Sequence, residues 1–141
     1  MTRDGPRCDR SRRVGAGLHR PPSHLFVYGT LLPGEVRWSL LEPYVSDRGT
    51  VDSAAGSLYD TGLEYPAAVF GGRSVILGRM FTIEPSVYEE CLADLDIVEG
   101  TVGGLYSRIV VSAGSGIDAW AYEYGGGLEL VRIASGDWLH R

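Results

Sequence analysis

The architecture of this chain is set by the segment His24-Leu25-Phe26-Val27-Tyr28-Gly29-Thr30-Leu31-Leu32-Pro33-Gly34. Its apolar beginning, rich in aromatic and branched side chains, predicts a buried β-strand. The strand ends at Gly29-Thr30, because glycine permits a turn that other residues resist. A strand that ends in such a turn directs neighbouring backbone N–H groups towards one point, and that arrangement binds anions such as carboxylates. Many core strands also end at a glycine without binding anything, so both interpretations stay open at this point.

The length and the charge distribution limit what the protein can be. The chain has 141 residues, which is enough for one domain with a core. All thirteen basic residues are Arg, and six of them lie in residues 1–23, which carry a net charge of +4. Residues 24–141 carry a net charge of −9. Such an acidic domain argues against a nucleic-acid-binding surface.

The amino-terminal residues differ from the rest in composition. Residues 1–23 are rich in Gly, Pro, Ser and Arg, and they cannot bury enough apolar surface to offset their ordering entropy. We therefore predict a disordered Arg-rich tail over residues 1–23 and a single domain over residues 24–141. No apolar run approaches the ~18 residues of a membrane span, and Cys8 and Cys91 do not suggest a disulfide framework. We expect a cytoplasmic protein without a membrane partner; the sequence does not specify its oligomeric state.

Between residues 35 and 81 the pattern changes from a short helix to strands. Val36, Leu40 and Leu41 are spaced for one helical face over residues 35–41, and Pro43 ends that segment. Turns at 60–62 and 71–72 then separate predicted strands over residues 49–51, 55–59, 66–70 and 74–81. Several short strands around one core favour a closed or nearly closed sheet.

The second half of the chain contains a clear helix and a hairpin. Thr82-Ile83-Glu84-Pro85 opens the helix, whose buried face is predicted to carry Val87, Cys91, Leu92 and Leu95. Residues 105–112 and 117–124 form an antiparallel hairpin by pattern. The run Ile109-Val110-Val111 does not alternate with polar residues, which predicts a central strand covered on both faces.

Glu99 stands where the helix gives way to the Gly-rich segment 100–104. The simplest interpretation is a solvated glutamate before a capping glycine. However, an acid at the carboxyl end of a helix meets the negative end of the helix dipole, where Lys or Arg would be more stable. Residues that depart from a local preference are candidates for functional sites. Glu99 is therefore a candidate acid or base.

Three parts of the sequence together resemble the γ-glutamylcyclotransferase-like family, especially the γ-glutamylamine cyclotransferases and their small bacterial relatives. They are Tyr28-Gly29-Thr30-Leu31, the segment Leu95-Asp96-Ile97-Val98-Glu99-Gly100, and Tyr106 with Arg108. The resemblance covers residues 24–141 and includes a Ser-Gly-Asp-Trp ending at residues 135–138. It implies an α+β fold, a small mixed β-barrel flanked by short helices, with a cavity at one end.

The resemblance also implies a reaction. The loop Tyr28, Gly29, Thr30, Leu31 would bind the α-carboxylate of a γ-glutamyl substrate through its main chain, and Glu99 would be the catalytic acid/base. The substrate would be a γ-glutamyl amide, cyclised to 5-oxoproline with release of an amine or amino acid. No metal and no organic cofactor would be needed, and the three histidines show no ligand spacing that predicts a metal site.

Other residues have two interpretations. Tyr106 and Tyr122, on paired strands, either line the same cavity as substrate-binding residues or belong to the core with locally bonded hydroxyls. The hydroxyl of Tyr106, like the backbone donors near Gly29 and Thr30, could stabilise an oxyanion. Arg108 is expected to be a solvated or paired strand charge. Residues 62–66 and 100–104 are candidates for the pocket of the leaving amine.

Three functions remain open from the sequence. The first is a cofactor-independent cyclotransferase acting on γ-glutamyl amines or γ-glutamyl amino acids. The second is a binding module on the same fold that recognises an amino acid or a γ-glutamyl metabolite without turning it over. The third is a different amide-handling enzyme, such as a biosynthetic deprotecting acyltransferase, that uses Glu99 on another substrate.

Overall fold

The computed structural model describes residues 20–101, 105–126 and 130–141. Eight helices and strands follow one another: β1 (His24–Val27), α1 (Trp38–Leu41), β2 (Thr50–Asp60), β3 (Pro66–Thr82), α2 (Tyr88–Glu99), β4 (Tyr106–Ser112), β5 (Asp118–Tyr124) and β6 (Val131–Ile133). Short 3₁₀ turns occupy Glu42–Tyr44, Pro85–Val87 and Trp138–His140. Residues 1–19 of the predicted tail and residues 102–104 of the predicted loop lie outside the described residues.

The strands form one six-stranded sheet in the order β4-β5-β1-β3-β2-β6. Neighbouring strands are antiparallel except for β1 and β5, which run parallel with Leu25 opposite Trp120. A single bridge between Ala54 and Ala113 joins β2 to the end of β4. Since β4 and β2 lie near opposite ends of the strand order, this bridge means that the sheet curls into an incomplete barrel. The predicted α+β fold, a small mixed β-barrel flanked by short helices, is confirmed.

Strand β1 lies in the middle of the sheet and is buried on both faces, as the apolar run predicted. Phe26 and Tyr28 belong to one core cluster, inside the curl of the sheet, with Leu58, Ile76 and Trp138. On the other face, β1 and the helices share a second cluster, which includes Leu25, Val27, Leu41, Cys91, Leu92 and Leu95. Because the two clusters pack against opposite faces of β1, they fix the position of its end in the sheet beside α2.

The long hairpin of β2 and β3 differs from the prediction. Residues 49–51 and 55–59, predicted as separate strands, belong to one continuous strand, and residues 66–82 form another. The Gly71-Gly72 pair does not end a strand; Ala55 pairs with Val75 but Gly56 pairs with Phe70, so residues 71–74 form a bulge in β3. Gly71 and Gly72 have positive φ angles of 104° and 78°. Glycine is favoured at such angles in bulges as well as in turns, so the Gly-Gly pair looked like a turn in the sequence.

Two further expectations are corrected. The predicted helix over residues 35–41 is the single turn α1, so its dipole adds little to the neighbouring loop. Strand β4, predicted to be central, is an edge strand, and Val110 on it is 50% exposed. Its run of branched residues reflects the preference of such side chains for strands and not burial of both faces.

The remaining elements agree with the sequence pattern, except that Val87, predicted on the buried face of the helix, lies in the 3₁₀ turn before α2 and is only partly buried. Helix α2 buries Cys91, Leu92 and Leu95 and ends at Glu99, and β4 pairs with β5 as the predicted hairpin. At the start of the domain, the carbonyls of Pro22 and Ser23 accept hydrogen bonds from Tyr88 Oη and Ile83 N. Within the described residues, no helix is both long and apolar enough to cross a membrane.

Candidate active site

A cavity of about 130 Å³ lies between the sheet and the end of α2. Residues at the end of β1, at the beginnings of β3 and β4, and on β5 line this cavity. All of the site residues predicted from the sequence line this one cavity: Tyr28, Gly29, Thr30, Leu31, Glu99, Tyr106 and Tyr122. Arg37, Tyr65 and Pro66 also line it. The structure therefore brings together segments that are about seventy residues apart in sequence.

The loop after β1 is held by its own main chain. The carbonyl of Gly29 accepts a hydrogen bond from Leu32 N at 3.0 Å, and the carbonyl of Thr30 accepts one from Arg37 N at 2.8 Å. Within the described part of the chain, the N–H groups of Thr30 and Leu31 have no acceptor. These two amides are donors beside a cavity without a partner among the described residues, an arrangement that is able to bind an anion.

Gly29 is fixed by a close approach to Pro66 at the start of β3. A Cβ atom on Gly29 would lie 2.5 Å from Cγ of Pro66, which is closer than two carbon atoms can approach. The glycine is needed here because of this packing and not, as predicted, for a turn that other residues resist, since Gly29 does not have a positive φ. The contact joins the end of β1 to the beginning of β3 and so forms one wall of the cavity.

Glu99 is the last residue of α2, and Gly100 terminates the helix in the left-handed conformation with φ of 72°. The N–H of Gly100 donates to the carbonyl of Ile97 at 3.1 Å, a usual way for a helix to end at glycine. Burial raises the pKa of Glu99 to about 7, while the nearby positive charge of Arg37 acts in the opposite direction. Near neutral pH the carboxyl group therefore exists in both protonation states.

Two tyrosine hydroxyls beside the cavity donate their protons to main-chain carbonyls. Tyr28 Oη donates to the carbonyl of Tyr122 at 2.5 Å, and Tyr106 Oη donates to the carbonyl of Pro66 at 2.5 Å. Burial raises the pKa of both hydroxyls. Because a hydroxyl carries a single proton, Tyr106 is not placed to donate to an oxyanion, which was one of its expected roles. Both hydroxyl oxygens remain available as acceptors.

A charged group behind the cavity wall orients Tyr122 and α2. Tyr122 Oη donates to Asp96 Oδ1 at 2.7 Å, and Arg108 donates to both oxygens of Asp96 from Nε at 2.8 Å and Nη2 at 3.2 Å. The Arg108 guanidinium also lies over the ring of Trp120, 4.3 Å from its centre. Asp96 precedes Glu99 by three residues, one helical turn, so these bonds tie the end of α2 to β4 and β5. Arg108 is a paired strand charge, as expected.

A family model described as "Gamma-glutamyl cyclotransferase, AIG2-like" matches residues 25–140. The chain belongs to this family. No match was found among curated proteins. The family assignment agrees with the resemblance read from the motifs around Tyr28 and Glu99.

Solved structures show the same cyclotransferase-like fold. An uncharacterised protein from Pyrococcus horikoshii is 25% identical, with a TM-score of 0.63 over 81% of this chain and 87% of that one. YkqA from Bacillus subtilis is 29% identical, with a TM-score of 0.62 over 82% of this chain but 39% of the longer relative. An AIG2-like protein from Mus musculus is 18% identical, with a TM-score of 0.58 over 74% of this chain and 78% of that one, and shows the likeness of fold alone.

Sequence reasoning missed one charged residue that lines the cavity. Arg37 precedes the single turn α1 and lines the cavity, but nothing in its spacing distinguishes it from the other arginines. Tyr65 and Pro66 fall in the predicted leaving-group segment 62–66, and both reach the cavity. In the described part of the chain no three His, Cys, Asp or Glu side chains are grouped so that they could hold a metal ion.

Proposed function

We propose that this protein is a cofactor-independent cyclotransferase that converts γ-glutamyl amines or γ-glutamyl amino acids into 5-oxoproline and releases the amine. One observation carries the proposal: Glu99, with a pKa of about 7, and the backbone donors of the loop after β1 line the same cavity. A proton acceptor and an anion-binding loop are the two groups that this cyclisation requires. The cavity of about 130 Å³ would hold the glutamyl unit of such a substrate.

The loop after β1 would hold the α-carboxylate of the substrate. The N–H groups of Thr30 and Leu31, which lack acceptors among the described residues, supply the hydrogen bonds. Tyr65 and Pro66, which also line the cavity, would limit the space for the glutamyl side chain of the substrate. Held this way, the γ-glutamyl chain folds back on itself, and an intramolecular reaction of well-placed groups reaches effective molarities of ~10⁵ M or more.

Glu99 would move the proton. The substrate α-ammonium has no lone pair, so the Glu99 carboxylate first removes one proton from it. The free amine then attacks the γ-carbonyl carbon, a C–N bond forms, and the five-membered ring closes. The protonated Glu99 returns the proton to the leaving nitrogen as the old amide C–N bond breaks. The Glu99 carboxylate then takes the second proton from the ring nitrogen, which becomes the lactam N–H, and passes it to the released amine, which leaves as an ammonium. The proton count balances without any other reagent, and a carboxyl with a pKa near 7 suits both steps.

The negative charge that develops on the carbonyl oxygen also needs donors. The Tyr106 hydroxyl is committed to the carbonyl of Pro66, and the N–H groups of Thr30 and Leu31 bind the α-carboxylate, so we assign this role to the main-chain N–H of Gly29. Backbone amides fixed in a turn are suited to it because they do not have to reorient during the reaction. Removal of one such donor in other enzymes costs about 10²–10³ in rate.

The experiment is a search for 5-oxoproline, by mass spectrometry, after incubation of the pure protein with γ-glutamyl amines and γ-glutamyl amino acids. Glu99→Gln should lower kcat by about 10²–10⁴ because the side chain can no longer take up a proton. Glu89→Gln is the matched control, since Glu89 is exposed on the same helix; it should retain normal turnover.

Three results would contradict the proposal. Equal turnover by Glu99→Gln and by the native chain would remove Glu99 from the mechanism. Thermal stabilisation by γ-glutamyl compounds without any product would favour the binding module instead. Release of an acyl group other than 5-oxoproline from a wider amide panel would favour the deprotecting enzyme.

A further inference from the structure

The cavity has two charged side chains among the described residues that line it, and they have opposite signs. One is Glu99, and the other is Arg37, which is partly buried and lies seven residues after Thr30. The other described lining residues are apolar, small or hydroxyl-bearing. In a cavity of this kind, a second charge has a strong influence on which ligands can enter, because low-dielectric walls screen it poorly.

The guanidinium of Arg37 has no acceptor among the residues that the structure describes, whereas those of Arg79 and Arg108 do. Arg79 donates to the carbonyls of Arg48 and Gly49, and Arg108 donates to Asp96. The hydrogen bonds of Arg37 are formed by its main chain: its N–H donates to Thr30 and its carbonyl accepts from Leu40 N. The backbone of Arg37 is thus fixed to the loop, while its five side-chain donors are left for a ligand.

We propose that Arg37 binds a carboxylate carried by the leaving amine, so that the site selects γ-glutamyl amino acids over γ-glutamyl alkylamines. This inference rests on the proposed cyclotransferase function and narrows its substrate class. A guanidinium binds a carboxylate through two parallel hydrogen bonds, which gives both affinity and orientation.

The leaving group is the part of the substrate that Arg37 would meet. Glu99 must lie beside the leaving nitrogen to protonate it, and Arg37 is close enough to Glu99 to influence its charge. In an α-amino acid the carboxylate is attached to the carbon next to that nitrogen. The α-carboxylate of the glutamyl unit already has the amides of Thr30 and Leu31 as partners, so the cation remains for a second carboxylate.

Charge balance supports the same choice. A γ-glutamyl alkylamine is neutral overall, whereas a γ-glutamyl amino acid carries one extra negative charge. Residues 24–141 have a net charge of −9, and ionised Glu99 adds repulsion within the cavity. A ligand with a second carboxylate therefore needs a cation at the site, and Arg37 is placed to provide it.

Two compounds that differ by one carboxylate test the inference. We would measure the dissociation constants of γ-glutamylalanine and γ-glutamylethylamine by calorimetry, with Glu99→Gln as the protein so that neither is consumed. γ-Glutamylalanine should bind about 10–100 times more tightly, as expected for a charge-assisted pair. With Arg37→Met added, this ratio should fall below about three. Arg37→Lys should keep an intermediate ratio, since it retains the charge but not the two parallel bonds.

Controls separate charge from size and folding. Arg48→Met removes an exposed arginine that lies over the Trp38 ring and does not line the cavity; it should leave the ratio unchanged. γ-Glutamylalanine amide, which has nearly the same size without the charge, should bind like γ-glutamylethylamine. Melting temperatures of all variants, measured alongside, show that each one is folded.

The outcomes distinguish this inference from the proposed function. Equal weakening of both compounds by Arg37→Met would overturn it and would place Arg37 on the glutamyl α-carboxylate. A ratio near one in Glu99→Gln with Arg37 intact, or no binding of either compound, would overturn it as well. If the ratio responds to Arg37 as expected but the native chain forms no 5-oxoproline, the selectivity stands and the cyclotransferase proposal fails.

Discussion

Glu99 is a carboxylic acid whose surroundings move its pKa towards neutrality. Burial raises the pKa from 4.5 to about 7. If Glu99 is the base, kcat/KM for a γ-glutamyl substrate should rise with pH and level off above about 7, because only the carboxylate can accept a proton. Initial rates between pH 5 and 9 measure this profile. A profile without a rise in that range would mean that another group takes the proton.

The same shift affects stability. The native state holds the Glu99 proton up to about pH 7, whereas the unfolded chain loses it near 4.5. Between these values the native state binds more protons, so the free energy of unfolding falls as pH rises. Glu99→Gln removes this dependence and should stabilise the protein by about 1–2 kcal/mol at pH 8, allowing for partial solvent access. At pH 4 the two proteins should be nearly equal, as urea titrations at both pH values would show.

At the scale of residues, the sequence predicted which residues line the cavity better than it predicted where their hydrogen-bonding groups point. Glu99 could be found because an acid at the carboxyl end of a helix departs from the usual preference. The loop Tyr28–Leu31 could be found because an apolar strand that ends at a glycine is a recognisable pattern. The proton of Tyr106 points to the carbonyl of Pro66, forty residues earlier in the chain, and no local pattern carries that information. Arg37 was missed for the same reason, since its role depends on the cavity that distant segments build around it.

The junction of β1 with β3 is the first element to test. Gly29→Ala would force a Cβ atom to within 2.5 Å of the Pro66 ring and displace the loop. We expect a loss of turnover of about tenfold or more, because a shift of 1 Å in a binding loop costs up to ~10²-fold. Gly34→Ala is the control: φ of Gly34 is 86°, but nothing lies within 4 Å of the added atom. It should cost about 1 kcal/mol of stability and leave turnover unchanged.

The end of α2 is held by Asp96, which accepts hydrogen bonds from Tyr122 and Arg108. Asp96→Ala would leave a partly buried guanidinium and a hydroxyl without their acceptor. The free energy of unfolding should fall by about 2–3 kcal/mol, since the loss of one partner of such a group costs more than an exposed ion pair contributes. Glu89→Ala, an exposed position on the same helix, should change it by less than about 0.5 kcal/mol. Similar losses in both variants would rule out a special role for Asp96.

At the scale of elements, local periodicity identified what each segment is but not where it lies. Three elements were predictable from the sequence, because buried faces and turn residues repeat within each of them: strand β1, helix α2 and the β4–β5 hairpin. The edge position of β4 was not, since Ile109-Val110-Val111 has the same strand preference at an edge as in the middle of a sheet. Nor was the parallel pairing of β1 with β5, which joins segments about ninety-five residues apart.

For the molecule as a whole, the carboxyl end is part of the core. Trp138 is 2% exposed and packs with Phe26 and Ile76, and the N–H of Leu77 donates to the carbonyl of Gly136 at 2.8 Å. Trp138→Ala should lower the free energy of unfolding by about 3–5 kcal/mol in a denaturant titration. Leu139→Ala, at a neighbouring side chain that is 51% exposed, should have a much smaller effect. A small loss for Trp138→Ala would mean that the last residues dock only weakly.

The Pro66 ring resting against Gly29 has a consequence for assembly. Until the β2–β3 hairpin has packed against β1, one wall of the cavity is absent and Glu99 at the end of α2 does not face a closed site. Binding of a small molecule is therefore a property of the complete fold. A nascent or truncated polypeptide that ends before Pro66 should bind none of the ligands that the intact protein binds.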